Sequence, residues 1–135
     1  MTVSSKPSDA QLHELTEDSF ETTVSADGIV LVDCWAGWCK ACKDFQPVFE
    51  AAAKKHHAHT FAKLNTQAEE DLVASLGIEH IPALLLYRDG LMLFKQPGYF
   101  DADGLDDIIT QAESLNMAEV RAAIEAERAA QQQDQ

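Results

Sequence analysis

The chain has 135 residues, 46% of them hydrophobic, which suits one globular domain whose core needs no covalent staples. Its 10 Lys and Arg stand against 23 Asp and Glu, a formal net charge of −13 that argues against nucleic acid or an anionic membrane as the main partner. The opening MTVSSKPSDA lacks the apolar segment of a secretory signal and no later run is long enough to cross a bilayer, so a soluble cytoplasmic protein is expected.

Residues 1–9 are small and polar, and a flexible tail is expected there. A short strand is expected around Leu12 to Leu15. The stretch TEDSFETTVSA predicts a helix with acids in its first turn and Phe20 and Val24 on one face, ended by Asp27 and Gly28. Ile29 to Ala36, IVLVDCWA, is almost wholly apolar, the pattern of a strand covered on both faces; Asp33 is the anomaly within it. From Lys40 to about His57 the pattern turns helical, with Phe45, Val48, Phe49 and Ala52 as the apolar stripe. Pro47 lacks an N–H and is expected to kink that helix.

TFAKLN predicts a further strand, EEDLVASLG a short helix stopped by Gly77, and ALLLYRDGLMLFKQ a hairpin turning on Asp89-Gly90 in type I′ geometry. Gly98 closes the sheet region. DADGLDDIITQAESL predicts a helix that buries Leu105, Ile108, Ile109 and Ala112. NMAEVRAAIEAERAA predicts another, to about Gln131, with Asn116 and Glu119 in a capping-box spacing. Alternating strands and helices with a late hairpin imply an α/β layer structure on a mixed sheet. The expected organisation is a tail at 1–9, a domain at 10–115, and a helical extension at 116–135 with a disordered end.

All three cysteines fall within DCWAGWCKACKDF, Asp33 to Phe45, so no framework of long-range disulfides is expected. A metal clip, a reversible disulfide and an inert buried pair are the possible readings of Cys39 and Cys42. Structural zinc takes four ligands, and no second C-x-x-C pair is present. The cluster His56, His57 and His59 sits with Lys54 and Lys55 at the far end of the same helix, where cations complement the dipole; a solvated helix end is expected. A helix starting at Cys39 or Lys40 places the Cys39 sulfur near free backbone N–H groups and the positive end of the dipole, which favours thiolate. Such sites lower a thiol pKa from about 8.5 to roughly 3.5–7.5 and make the sulfur a nucleophile. Cys42, one turn later, is placed to resolve a mixed disulfide on Cys39. Asp33, a carboxylate in an apolar strand, has a raised affinity for protons and can take the Cys42 proton directly or through water. Strand alternation turns Cys34 away from Asp33, toward an inert role in another layer.

These motifs together resemble the thioredoxin family. VLVDCWAGWCKACK stands where the family has V-D-F-W-A-x-W-C-G-P-C-K, FAKLN resembles its strand after the first long helix, and GIEHIPALLLYRDG resembles the segment carrying its cis-proline. The likeness runs from about Leu12 to Leu115. It implies a thioredoxin fold and a protein disulfide oxidoreductase serving electron transport and cell redox homeostasis, with no cofactor beyond a redox-active Cys39–Cys42 disulfide. It implies Cys39 as attacking cysteine, Cys42 as resolving cysteine and Asp33 as the buried acid. Trp38 is implied as the rim aromatic, Ile81-Pro82 as a cis bond beside the substrate, Lys63 as the lysine near the acid and Gly98 as the glycine of the docking groove. Protein disulfides are the implied substrates and a thioredoxin reductase the implied electron donor.

Three departures carry expectations. Lys40-Ala41 replaces Gly-Pro between the cysteines, and a cation beside the Cys39 thiolate is expected to make the pair somewhat more oxidising than ordinary thioredoxin; about 30 mV corresponds to roughly 1.4 kcal/mol. His80 takes a groove position usually held by a small residue, either as a pH-sensitive contact or as an exposed loop histidine. The helix from Asn116 has a thin stripe of Val120, Ala123, Ile124 and Glu127, suited either to packing back on the domain or to self-association. The alternative to an oxidoreductase is a thioredoxin-fold binding module, chaperone-like or regulatory, with little turnover.

Overall fold

The computed structural model describes residues 12–133; the expected N-terminal tail and the last two residues of the chain lie outside them. Five strands, β1 (Leu12–Leu15), β2 (Ile29–Trp35), β3 (Thr60–Asn65), β4 (Ala83–Arg88) and β5 (Leu91–Pro97), form one sheet in the order β1-β3-β2-β4-β5. β1, β3 and β2 are parallel, whereas β4 is antiparallel to both β2 and β5, as a late hairpin requires. Five helices accompany them among the described residues: α1 (Glu17–Val24), α2 (Lys40–Lys55), α3 (Glu70–Leu76), α4 (Ala102–Glu113) and α5 (Met117–Gln133).

β2 lies at the centre and is buried from Ile29 to Cys34, which accounts for its unbroken apolar run. Its odd-numbered side chains, Ile29 and Leu31, pack with Phe45 and Phe49 of α2 and Leu105 and Ile109 of α4. Its even-numbered ones, Val30, Val32 and Cys34, pack with Phe20 and Val24 of α1 and with Leu72, Val73 and Leu76 of α3. Period-two alternation therefore puts Asp33 on the face of β2 that looks toward α2, and Cys34 on the other.

Local chemistry fixes the ends of these elements. Thr16 caps α1, with its hydroxyl accepting from the Ser19 N–H, and Asp101 caps α4 by accepting from Gly104. α3 ends at Gly77, whose φ of 71° is the left-handed conformation glycine adopts without a Cβ penalty. The β4–β5 turn has positive φ at both Asp89 and Gly90, as type I′ demands. Arg88 donates to the carbonyls of Ala112, Glu113 and Leu115 and closes the C-terminus of α4 with a cation. α2 runs without interruption through Pro47. The α5 stripe packs back rather than standing free: Val120 and Ile124 are half-buried and Arg121 donates to the Asp89 carbonyl, while Ala123 and Glu127 stay exposed.

Candidate functional site

The site starts where β2 runs out. The carbonyl of Trp35 accepts from both the N–H and the hydroxyl of Thr66, and the N–H of Gly37 donates to Gln67 Oε1 at 3.0 Å. Asn65 Oδ1 in turn accepts from the Gln67 N–H, so the loop after β3 holds the loop after β2 in place. None of these three polar residues was among the sequence candidates. Thr66 and Gln67 act on partners about thirty positions away, and nothing local marks them.

Held this way, the chain enters α2 at Cys39, which occupies the N-cap position in extended backbone geometry. A cap is usually Ser, Thr, Asp or Asn; here the Cys39 sulfur accepts from the Cys42 N–H at 3.1 Å. Cys39 and Cys42 are joined as a disulfide, with their Cα atoms 5.2 Å apart. Cys39 is 5% exposed and Cys42 3%, so exposure hardly separates them. Their difference lies in position: Cys39 is the one whose sulfur accepts from a first-turn N–H, that of Cys42.

Asp33 lies beneath the pair. It is 1% exposed, and neither carboxyl oxygen has a hydrogen-bond partner among the described residues. Burial pushes its carboxyl up to about 7, against the pull of Lys63 and with a smaller push from Glu14. A cavity of about 110 Å³ lined by Asp33, Trp35, Ala36, Gly37, Cys42, Lys43 and Gln46 joins the carboxyl to Cys42 and is roomy enough for water. Lys63 is the direct neighbour of Asp33 across the β2–β3 pairing, and its Nζ lies 4.7 Å from the centroid of the Trp35 ring. Trp35, absent from the sequence candidates, thus forms the shelf on which that lysine rests.

The groove beside the cysteines comes from a distant part of the chain. The Ile81-Pro82 bond is cis, and Ile81 packs against Ala36, Cys39 and Cys42. The Pro82 carbonyl accepts from the Gly98 N–H at 2.7 Å, and the φ of 119° at Gly98 is one that only glycine takes comfortably. Trp38 is 70% exposed beside the pair. Tyr99, another aromatic the sequence reading passed over, is 52% exposed and packs edge-on against Phe45, one turn beyond Cys42. His80 is exposed and lines a shallow depression with Glu79 and Lys95.

Two expectations change. Lys40 is not directed at Cys39: its ammonium pairs with Asp44 at 3.1 Å on the exposed side of α2, and Ala41 beside it is exposed. The charge expected to tune the pair is shared with a carboxylate four residues on, the spacing that brings helix side chains together. The histidine cluster is not simply a solvated helix end. His56 bonds Asp106 and His59 bonds Glu113, each at 2.7 Å, with the two rings stacked; only His57 is free in solvent. With Lys55, these residues clamp α2 to α4, and the bonds from His56 and Lys55 hold the Asp106 carboxyl below the usual carboxylate range. Cys34 is buried in the opposite layer and burial pushes its thiol well up, which keeps it protonated and inert.

Among the described residues no group of three or more His, Cys, Asp and Glu is arranged to hold a metal ion, and no helix is long and apolar enough to cross a membrane. A family profile described as thioredoxin matches residues 11–111. The chain is 41% identical over 116 residues to "Putative thioredoxin 2" of Streptomyces coelicolor, covering 86% of this chain and 87% of that protein. It is 35% identical over 97 residues to a thioredoxin of Chlamydia muridarum, covering 72% and 94% respectively. Among solved structures, a mutant thioredoxin from Halobacterium salinarum matches with a TM-score of 0.73 at 25% identity, over 84% of this chain and 99% of that one.

Proposed function

The chain belongs to the thioredoxin family, and from that membership we propose that it reduces or exchanges protein disulfides with Cys39 as nucleophile and Cys42 as resolving cysteine. Thiol-disulfide oxidoreduction is the family's general chemistry, and thioredoxins need no cofactor, since the redox disulfide is part of the chain. The observation that carries the assignment of roles is the cap: the sulfur of Cys39 takes the place of a capping oxygen at the start of α2.

The reaction balances as follows. The Cys39 thiolate attacks one sulfur of a target disulfide; the other target sulfur leaves as thiolate, and Cys39 holds a mixed disulfide. Asp33 in its ionised form takes the proton from the Cys42 thiol, and the new thiolate attacks the Cys39 sulfur. The Cys39–Cys42 disulfide forms, the second target thiolate departs, and two electrons have passed from the pair to the target. Asp33, poised near pH 7, suits the proton transfer because its affinity lies close to working conditions. The cis Ile81-Pro82 bond, Gly98 and exposed Trp38 frame an edge on which an extended substrate segment can lie, read by main-chain hydrogen bonds. Such reading is tolerant of sequence and suits many protein targets.

The absence of proline between the cysteines and the presence of Lys40 favour a potential somewhat above that of ordinary thioredoxin. Because Asp44 shares the Lys40 charge, the increment expected is modest, about 30 mV or less. Equilibration of the pair with glutathione measures it, and a value at or below that of ordinary thioredoxin contradicts this part of the reading. A reducing compartment such as the cytoplasm, with a thioredoxin reductase as electron donor, suits a single close pair. Insulin reduction driven by dithiothreitol tests the function itself: the native chain is expected to accelerate it and Cys39→Ser to fall to the uncatalysed rate. Equal rates for both would point instead to a binding module.

A further inference from the structure

A row of three charged side chains crosses the sheet beneath the site. Glu14 of β1 stands directly opposite Lys63 of β3, and Lys63 directly opposite Asp33 of β2. In parallel pairs, facing residues point to the same side of the sheet, and neighbouring strands lie roughly 4.8 Å apart. The row therefore reads carboxylate, ammonium, carboxylate, with its outer members roughly 10 Å apart. Its two ends are unlike. Asp33 is buried in the central strand with no hydrogen-bond partner, whereas Glu14 lies on the edge strand, exposed as a residue.

Lys63 cannot serve both carboxylates fully. Its Nζ lies over the Trp35 ring, between the two strands that carry them, so the share of its charge that each receives is set by the other. We propose that Glu14 is a positioning residue for the proton-accepting step, drawing Lys63 toward the sheet edge and keeping Asp33 short of countercharge. The proposal rests on the reading of Asp33 as proton acceptor. Without Glu14 the lysine turns wholly to Asp33, which then holds a proton less readily and becomes a weaker base for Cys42. The charges around Asp33 act with the same signs, Lys63 favouring the ionised form and Glu14 opposing it.

The other groups facing Asp33 do not supply this control. α2 presents Cys42 and the exposed Lys43 across the cavity, β4 presents only Leu84 alongside, and Cys34 of β2 faces the opposite layer. Around Glu14 the remaining charge is Glu69, which is occupied in accepting from the Glu17 N–H at 3.0 Å and can only add to the negative side.

The test is the titration of the Asp33 carboxyl carbon, followed by NMR in the reduced full-length chain. Glu14→Gln is expected to lower its midpoint by about 0.5 pH unit or more, and Glu14→Asp, which keeps the charge, to restore most of it. Lys63→Met is expected to raise the midpoint and to shrink the effect of Glu14→Gln made on top of it. An unchanged midpoint in Glu14→Gln overturns the proposal. The pH profile of mixed-disulfide resolution is measured on the same variants and is expected to shift with the midpoint. A midpoint that moves while the profile stays put supports the coupling to Glu14 and overturns the assignment of Asp33 as proton acceptor.

Discussion

The two ends of α2 are made from similar materials and do opposite work. At its C-terminal end Lys55, His56 and His59 meet Asp106 and Glu113, so charged and polar atoms there have partners and the result is a clamp. At its N-terminal end a sulfur stands in for the capping oxygen, and a carboxylate lies buried below it without a hydrogen bond. The difference teaches where to look for chemistry. A satisfied polar group has little left to give, while an orphaned one is kept at a cost of about 1–3 kcal/mol and is retained for what it can do.

The largest effect expected from breaking this contrast is at Asp33. Because burial raises its carboxyl to about 7, the folded chain holds a proton there that the unfolded chain releases near pH 4. Stability therefore falls as pH rises from about 4 toward 7, by on the order of 4 kcal/mol at most. Asp33→Asn removes that cost. It is expected to be more stable than the native chain at pH 8 and equal to it at pH 4, by urea unfolding, while resolving mixed disulfides about 100-fold more slowly. A stability gain of the same size at both pH values would detach the effect from ionisation.

At the other end the effect is small and of opposite sign. The lowered carboxyl of Asp106 contributes stability above the usual carboxylate range and loses it as pH falls through its own folded value. Asp106→Asn is expected to lower Tm at neutral pH by about 2–4 °C, to lose that deficit in acid, and to leave insulin reduction unchanged. A change in turnover would show that the clamp reaches the cysteines.

How much of this was legible in the sequence follows from the range of each interaction. β2 could be read because burial on both faces leaves an apolar run, and Asp33 could be singled out because it breaks that run. The β4–β5 turn could be read because Asp89-Gly90 is a local solution to a local problem. The pairing of Lys40 with Asp44 is local, since four residues on a helix bring side chains together, and it competes with the nearer Cys39 sulfur for the same ammonium. The clamps from His56 and His59 span about fifty residues, and Gln67 reaches back thirty to Gly37; neither leaves a pattern along the chain. Glu14 is the extreme case, because its place opposite Lys63 depends on a strand register that only the assembled sheet defines. The cis bond at Ile81-Pro82 was implied by family likeness and not by composition or spacing.

The proposal at the centre of this account is that the start of α2 makes Cys39 the nucleophile, while burial keeps the Cys34 thiol protonated. Thiolate absorbance of the reduced chain, recorded across pH in the native protein and in Cys39→Ser, tests it most directly. The account predicts one thiol titrating below about 7.5 in the native chain and none in that range after Cys39→Ser. A first midpoint at or above about 8.5, or one that survives the loss of Cys39, would contradict it.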